Sequence, residues 1–192
     1  MDSSTRQTID ELAELLHKEI FAEHSDYRNI DSYLEAEGID VKYILTEEFD
    51  GYLRWDGQNN RPVIAVSALN VPVRQNFTKA HELGHLILHW KWLPDMTQVE
   101  LADFKQDQVL EVSYRGKADY TAQEQIRETQ ANEFAAAFLI PNYKLTETVE
   151  LAAQAHDPLP QLVKRIAKTY FVAEVTAKIR LQNYRRLLLD GK

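Results

Sequence analysis

The sequence predicts an α+β fold in which a small antiparallel sheet packs on one long helix and a helical carboxy-terminal extension follows. Three observations carry that expectation. The run from Asn70 to Leu88 repeats apolar residues at helical spacing. Three short runs before it are apolar and bounded by turn residues, one of them strictly alternating, as strands are. After Pro141 three further helical stretches follow. The expected division is a domain over residues 1–141 and an extension over 142–192 that packs on it.

Taken in order, residues 8–22 read as a first helix, with Thr8 and Glu11 as a capping pair and Ile9, Leu12, Leu16 and Ile20 on one face. His17 and His24 pair with nothing at ligand spacing and are expected to face solvent. A short helix near 31–37 stops at Gly38. Strands are expected at Val41–Leu45, Gly51–Trp55 and Pro62–Val66, with Asp56 to Asn60 turning a hairpin between the last two. In the long helix Asn70 is the expected N-cap, Pro72 fits the first turn, and Phe77, Ala80, Gly84, Ile87 and Leu88 form the buried stripe, with the histidines along its margin. Gly84 costs a helix about 1 kcal/mol relative to alanine, which signals close approach of another backbone. Residues 90–120 are irregular and read either as a flap over a site or as a surface connector. Thr121 and Glu124 then open a helix whose stripe is Ala131, Phe134, Ala135 and Phe138 and which Pro141 ends. Further helices are expected near 143–154, 159–170 and 173–188.

The chemistry lies in His81-Glu82-Leu83-Gly84-His85. Imidazoles four residues apart share a helix face, about 6 Å apart along the axis, so both can converge on one metal at about 2.0–2.1 Å. A hydrolytic zinc takes three protein ligands and leaves the fourth position to water. His89 merely continues the same stripe, whereas the longer motif with a third histidine needs a glycine turn and a wider gap. Glu128 lies 43 residues after His85 and shares a helix face with Asn132. Its carboxylate can therefore bind the metal while the Asn132 amide orients one of the histidines.

Together, Arg74 to Leu86 and Glu128 to Pro141 resemble the two motifs of the ImmA/IrrE metallopeptidases, zincin-like proteins of bacteria, phages and mobile elements. The resemblance implies a zincin-like fold with the sheet against the HExxH helix. It implies His81, His85 and Glu128 as ligands of one zinc, with manganese as the alternative, Glu82 as catalytic base and Asn132 as support behind a ligand. Lys79 stands where relatives are usually apolar. Tyr114-Arg115 falls where relatives often carry an aromatic–arginine pair, and Tyr114, Arg115 and Tyr120 are the candidate donors to an oxyanion. Residues 162–181 resemble the helix-turn-helix that commonly follows the peptidase motif in this family.

In such relatives the substrate is typically a helix-turn-helix repressor of a prophage, a mobile element or a stress response. The expected function is thus a zinc endopeptidase that cuts a repressor of this kind. The alternative is a non-proteolytic, zinc-stabilised regulator that binds a repressor, a toxin or DNA. Glu82 separates the two, because a purely structural site has no use for a base.

Composition narrows the choice further. The chain has no cysteine, which excludes disulfides and thiolate metal sites and permits a reducing compartment. Its first residues lack a basic region followed by an apolar run, and no stretch approaches the roughly 18 apolar residues of a membrane span, so a cytoplasmic location is expected. The net charge of −8 disfavours indiscriminate nucleic-acid binding. Residues 160–192 nevertheless carry eight Lys or Arg against two acidic residues. DNA contact there would run through charges such as Lys178, Arg180 and Arg185, but the negative remainder repels duplex and a packing or protein-docking role is expected instead.

Overall fold

The computed structural model describes residues 1–21, 28, 30–93, 96, 104, 107–114 and 119–190. The elements run α1 (Ser3–Phe21), α2 (Asp31–Ala36), β1 (Asp40–Ile44), β2 (Phe49–Asp56), β3 (Arg61–Ser67), α3 (Pro72–Leu88), β4 (Gln108–Tyr114), α4 (Ala122–Leu139), α5 (Asn142–Gln154), α6 (Leu159–Thr169) and α7 (Glu174–Asp190). This is the expected mixture of a small sheet and helices. No helix of the described residues is long and apolar enough to cross a membrane.

The sheet departs from expectation twice. Its order is β1-β3-β2-β4, and β1 runs parallel to β3 while both pairings of β2 are antiparallel, so the sheet is mixed. The cause lies in β3, whose Pro62-Val-Ile-Ala-Val66 is apolar on both faces and wholly buried. Such a strand belongs inside the sheet. It inserts between β1 and β2, and the hairpin that reverses it against β2 aligns it with β1. The second departure is β4, which forms within the stretch read as irregular. Only Leu110 of that strand is fully buried, and its pairing with β2 has register shifts, so the alternating pattern is weak.

Two caps also differ. In α1 the Asp2 carboxylate accepts from the Thr5 amide at 2.8 Å, six residues before the expected cap, while the Thr8 hydroxyl donates to the Ser4 carbonyl at 3.1 Å. In α3 the capping position is Val71, without a side-chain bond, followed by Pro72. The Asn70 amide instead donates to Asp50 at 3.0 Å and ties the helix to β2. The Thr121–Glu124 capping box forms as read. So does the Asp56 turn, whose carboxylate accepts from the Gln58 and Asn59 amides before Asn60 takes a positive φ of 54°.

Helix α3 lies between the sheet and α4, and two glycines set its depth. A Cβ on Gly84 would stand 3.0 Å from the Phe134 ring and 3.2 Å from the Ala131 carbonyl, so the bare backbone is what lets α4 approach. On the other side a Cβ on Gly51 would stand 2.5 Å from the Thr78 methyl and 2.8 Å from the Ala65 carbonyl. Because it is enclosed, α3 buries polar side chains that a surface helix would expose, including Lys79, His81, Glu82 and His85. The histidines are therefore interior rather than at the margin of a stripe. Lys79 meets Asp31 of α2 and, at 3.2 Å, the Tyr43 hydroxyl of β1.

His17 is also buried, contrary to expectation, because the α1 face that carries it packs on α4. It is 1% exposed, and its Nδ1 lies 2.6 Å from the Phe138 carbonyl. His24 lies outside the described residues. Farther along the chain, Arg180 of α7 is wholly buried: its guanidinium donates to Asp10 at 2.7 Å, the Ile140 carbonyl at 3.0 Å and Asn142 at 2.8 Å. It therefore presents no charge to a nucleic acid. Asn183, one turn later, donates to both oxygens of Glu133.

Candidate active site

Close packing of α3 on α4 sets His81 and His85 opposite Glu128. His81 Nε2 lies 3.3 Å from one Glu128 oxygen, His85 Nε2 lies 3.4 Å from the other, and the two nitrogens are 3.1 Å apart. Ligands held about 2.0–2.1 Å from a tetrahedral metal stand about 3.3 Å from one another. The three donors thus already have the spacing of three corners of such a site, and among the described residues they form the His/carboxylate group that could hold a metal ion. Their chemistry, two imidazoles and a carboxylate, suits zinc.

The surroundings orient these donors. His81 Nδ1 lies 3.1 Å from the Asn132 side-chain oxygen, and donation there fixes the ring with Nε2 directed toward Glu128. His85 Nδ1 has His89 Nδ1 at 3.0 Å and a Glu111 oxygen at 3.8 Å behind it. His89 is steadied in turn by Gln130 at 3.1 Å. It therefore stands behind His85 and outside the three-donor group, as its place on the helix stripe suggested. Glu111 pairs with Arg127 and accepts from the Trp90 ring N–H at 3.2 Å.

Electrostatics separate the two carboxylates. Burial alone would raise the Glu128 pKa, but hydrogen bonds from His81 and His85 hold it well below the usual carboxylate range. Glu82 is wholly buried, and this pushes its pKa up to about 7 against the lowering charge of His81. The Ser113 hydroxyl donates to one Glu82 oxygen at 2.5 Å, while the other oxygen has no partner among the described residues. A buried acceptor left open beside a metal-type donor group suits a proton acceptor for water. Burial opposes charge on His81 too, yet the Glu128 hydrogen bond and the Glu82 and Glu128 charges outweigh it and raise its pKa. His85 goes the other way, lowered chiefly by burial.

Of the candidate oxyanion donors, Tyr114 and Tyr120 both line the cleft that contains His81 and Glu128, whereas Arg115 lies outside the described residues. Burial and the Glu128 charge raise the Tyr120 pKa, which keeps the phenol protonated and able to donate. Sequence reasoning missed Ser113, Glu111 and Arg127. The first two sit on the strand that it did not foresee, and without that strand nothing marks either as a neighbour of α3.

Comparison with known proteins identifies the family. A peptidase family described as the IrrE N-terminal-like domain matches residues 34–182. The radiation response metalloprotease IrrE of Deinococcus radiodurans is 32% identical over 128 residues, which cover 67% of this chain and 33% of that protein. The chain thus spans about a third of the length of this curated relative. A Mycobacterium tuberculosis transcriptional regulator of known structure superposes with a TM-score of 0.55 at 19% identity, over 91% of this chain and 46% of that one, which is a likeness of fold. Since the family match runs through both the helix of His81 and the helix of Glu128, the chain belongs to the IrrE N-terminal-like peptidase family.

Proposed function

We propose that this chain is a cytoplasmic zinc endopeptidase that hydrolyses a peptide bond in a helix-turn-helix transcriptional repressor. The observation that carries the reading is the three-cornered spacing of His81, His85 and Glu128 with the half-satisfied Glu82 carboxylate beside it. His81, His85 and Glu128 would hold the metal, and Asn132 would keep the His81 lone pair turned toward it. Zinc bound there supplies Lewis acidity toward a water and the scissile carbonyl. Glu82 takes the proton of the attacking water and returns it to the leaving amine, and the Ser113 hydroxyl holds its carboxylate in one orientation. Tyr114 and Tyr120 are the cleft's candidate donors to the developing oxyanion.

The repressor as substrate follows from the family resemblance. DNA itself is a weaker choice: Arg180 is buried on Asp10, and Arg165 is paired with Asp157 at 2.6 Å. The test is Glu82→Gln, which removes the proton acceptor and keeps its shape. With a helix-turn-helix repressor co-expressed, the variant should keep its zinc and fold while cleavage, followed by gel and mass spectrometry, falls at least about 100-fold. Undiminished cutting would remove Glu82 as the base, and a zinc-loaded protein that cuts no repressor would favour a binding regulator.

A further inference from the structure

The cleft that takes in His81, Glu128 and Asn132 has a volume of about 510 Å³ and is not enclosed by the peptidase motifs alone. Val71, Val73 and Phe77 line it from the start of α3, and Ala173 from the α6–α7 turn together with Val175 and Thr176 from the first turn of α7 line its other side. Val71 and Val175 are 62% and 63% exposed, an unusual state for two valines lining one depression. The charged groups Asp50 and Arg74, also in its lining, are paired with each other at 2.6 Å. Their charges neutralise one another, so this part of the cleft offers little to a charged side chain and much to an apolar one.

The α6–α7 turn is held at the cleft by its own helix. Arg180 lies one to two turns beyond Val175 and is fixed by Asp10, the Ile140 carbonyl and Asn142, which anchors α7 to α1 and to the end of α4. In a helix-turn-helix used on DNA the start of the second helix would meet the nucleic acid. Here that start carries Glu174, whose carboxylate repels phosphate, and its neighbours line the cleft.

We infer that Val71, Val73 and Phe77 together with Ala173 and Val175 form a pocket for one large apolar side chain of the peptide being cut, which makes the α6–α7 turn a determinant of specificity. This rests on the peptidase reading above. The experiment incubates the zinc-loaded full chain with a randomised synthetic peptide mixture and identifies products by mass spectrometry. A large apolar residue should be enriched at one position near the cut bond, with leucine favoured over alanine by about tenfold or more in kcat/KM.

Val175→Asp and Val71→Asp change exposed side chains and should keep zinc content and melting temperature. Each should erase most of the leucine preference through KM, and Val175→Asp should shift selection toward lysine or arginine. Ile179→Asp, on the same helix but 50% exposed and outside the lining, should leave the profile unchanged. An apolar preference that survives both valine substitutions overturns the pocket while leaving the peptidase intact. Absence of any cleavage by the zinc-loaded chain overturns both.

Discussion

His17 should make this protein acid-labile in a way that one substitution can isolate. Its side chain is 1% exposed between α1 and α4, with Phe21, Phe138 and Tyr143 around it. Burial lowers its pKa from 6.5 to about 4, outweighing the Phe138 carbonyl and Glu14, which favour the charged form. In the unfolded chain the ring binds its proton near pH 6.5, so between pH 6.5 and 4 the unfolded state holds more protons than the folded one. Stability is therefore complete above the unfolded pKa and falls as pH drops toward the folded one. A shift of this size corresponds to a loss of about 2 kcal/mol by pH 5 and about 3 kcal/mol by pH 4, relative to pH 7. His17→Asn keeps a neutral donor for the Phe138 carbonyl and removes the titration. Urea unfolding of both proteins at several pH values should therefore show the variant less stable at pH 7, with the gap narrowing by about 2 kcal/mol at pH 5. A gap that stays constant across this range would refute the reasoning, because every other titrating group is common to both proteins.

Elemental analysis should find about one zinc per chain, abolished by Glu128→Ala, whereas Asn132→Ala should weaken affinity by about 10- to 100-fold, because it removes only the partner behind His81. Full zinc content in Glu128→Ala would end its role as a ligand. Arg180→Met should cost about 3–5 kcal/mol in chemical unfolding, since it strands the buried Asp10 and Glu133 carboxylates that now surround the guanidinium. If Arg180→Met instead spared stability and lowered salt-sensitive duplex binding, Arg180 would be a DNA contact.

Much of this protein is legible locally. The capping box of α4, the hairpin turn at Asp56 and the stop of α2 before Gly38, whose φ is 82°, depend on side chains within a few residues of one another, and each forms as read. The pairing of His81 with His85 is likewise a consequence of helix pitch. Errors arise where a face is chosen by distant partners. His17 looks like a surface histidine until α4 covers it, and Asn70 looks like a cap until Asp50 of β2 claims its amide. The strand β4 is hidden because an edge strand beside a polar site carries Glu111 and Ser113 where a core strand would carry apolar residues.

By itself, then, the sequence determined the candidate donor set, the helices that bear it and the glycine that lets them meet, since these follow from spacing and side-chain size. Only the tertiary structure decided the direction of β1 against β3, the placing of Ser113 on Glu82, and the burial of Arg180 that brings the start of α7 to the cleft. Those outcomes depend on contacts between residues 23 to 170 positions apart, and no local pattern specifies which distant partner a buried polar group will find.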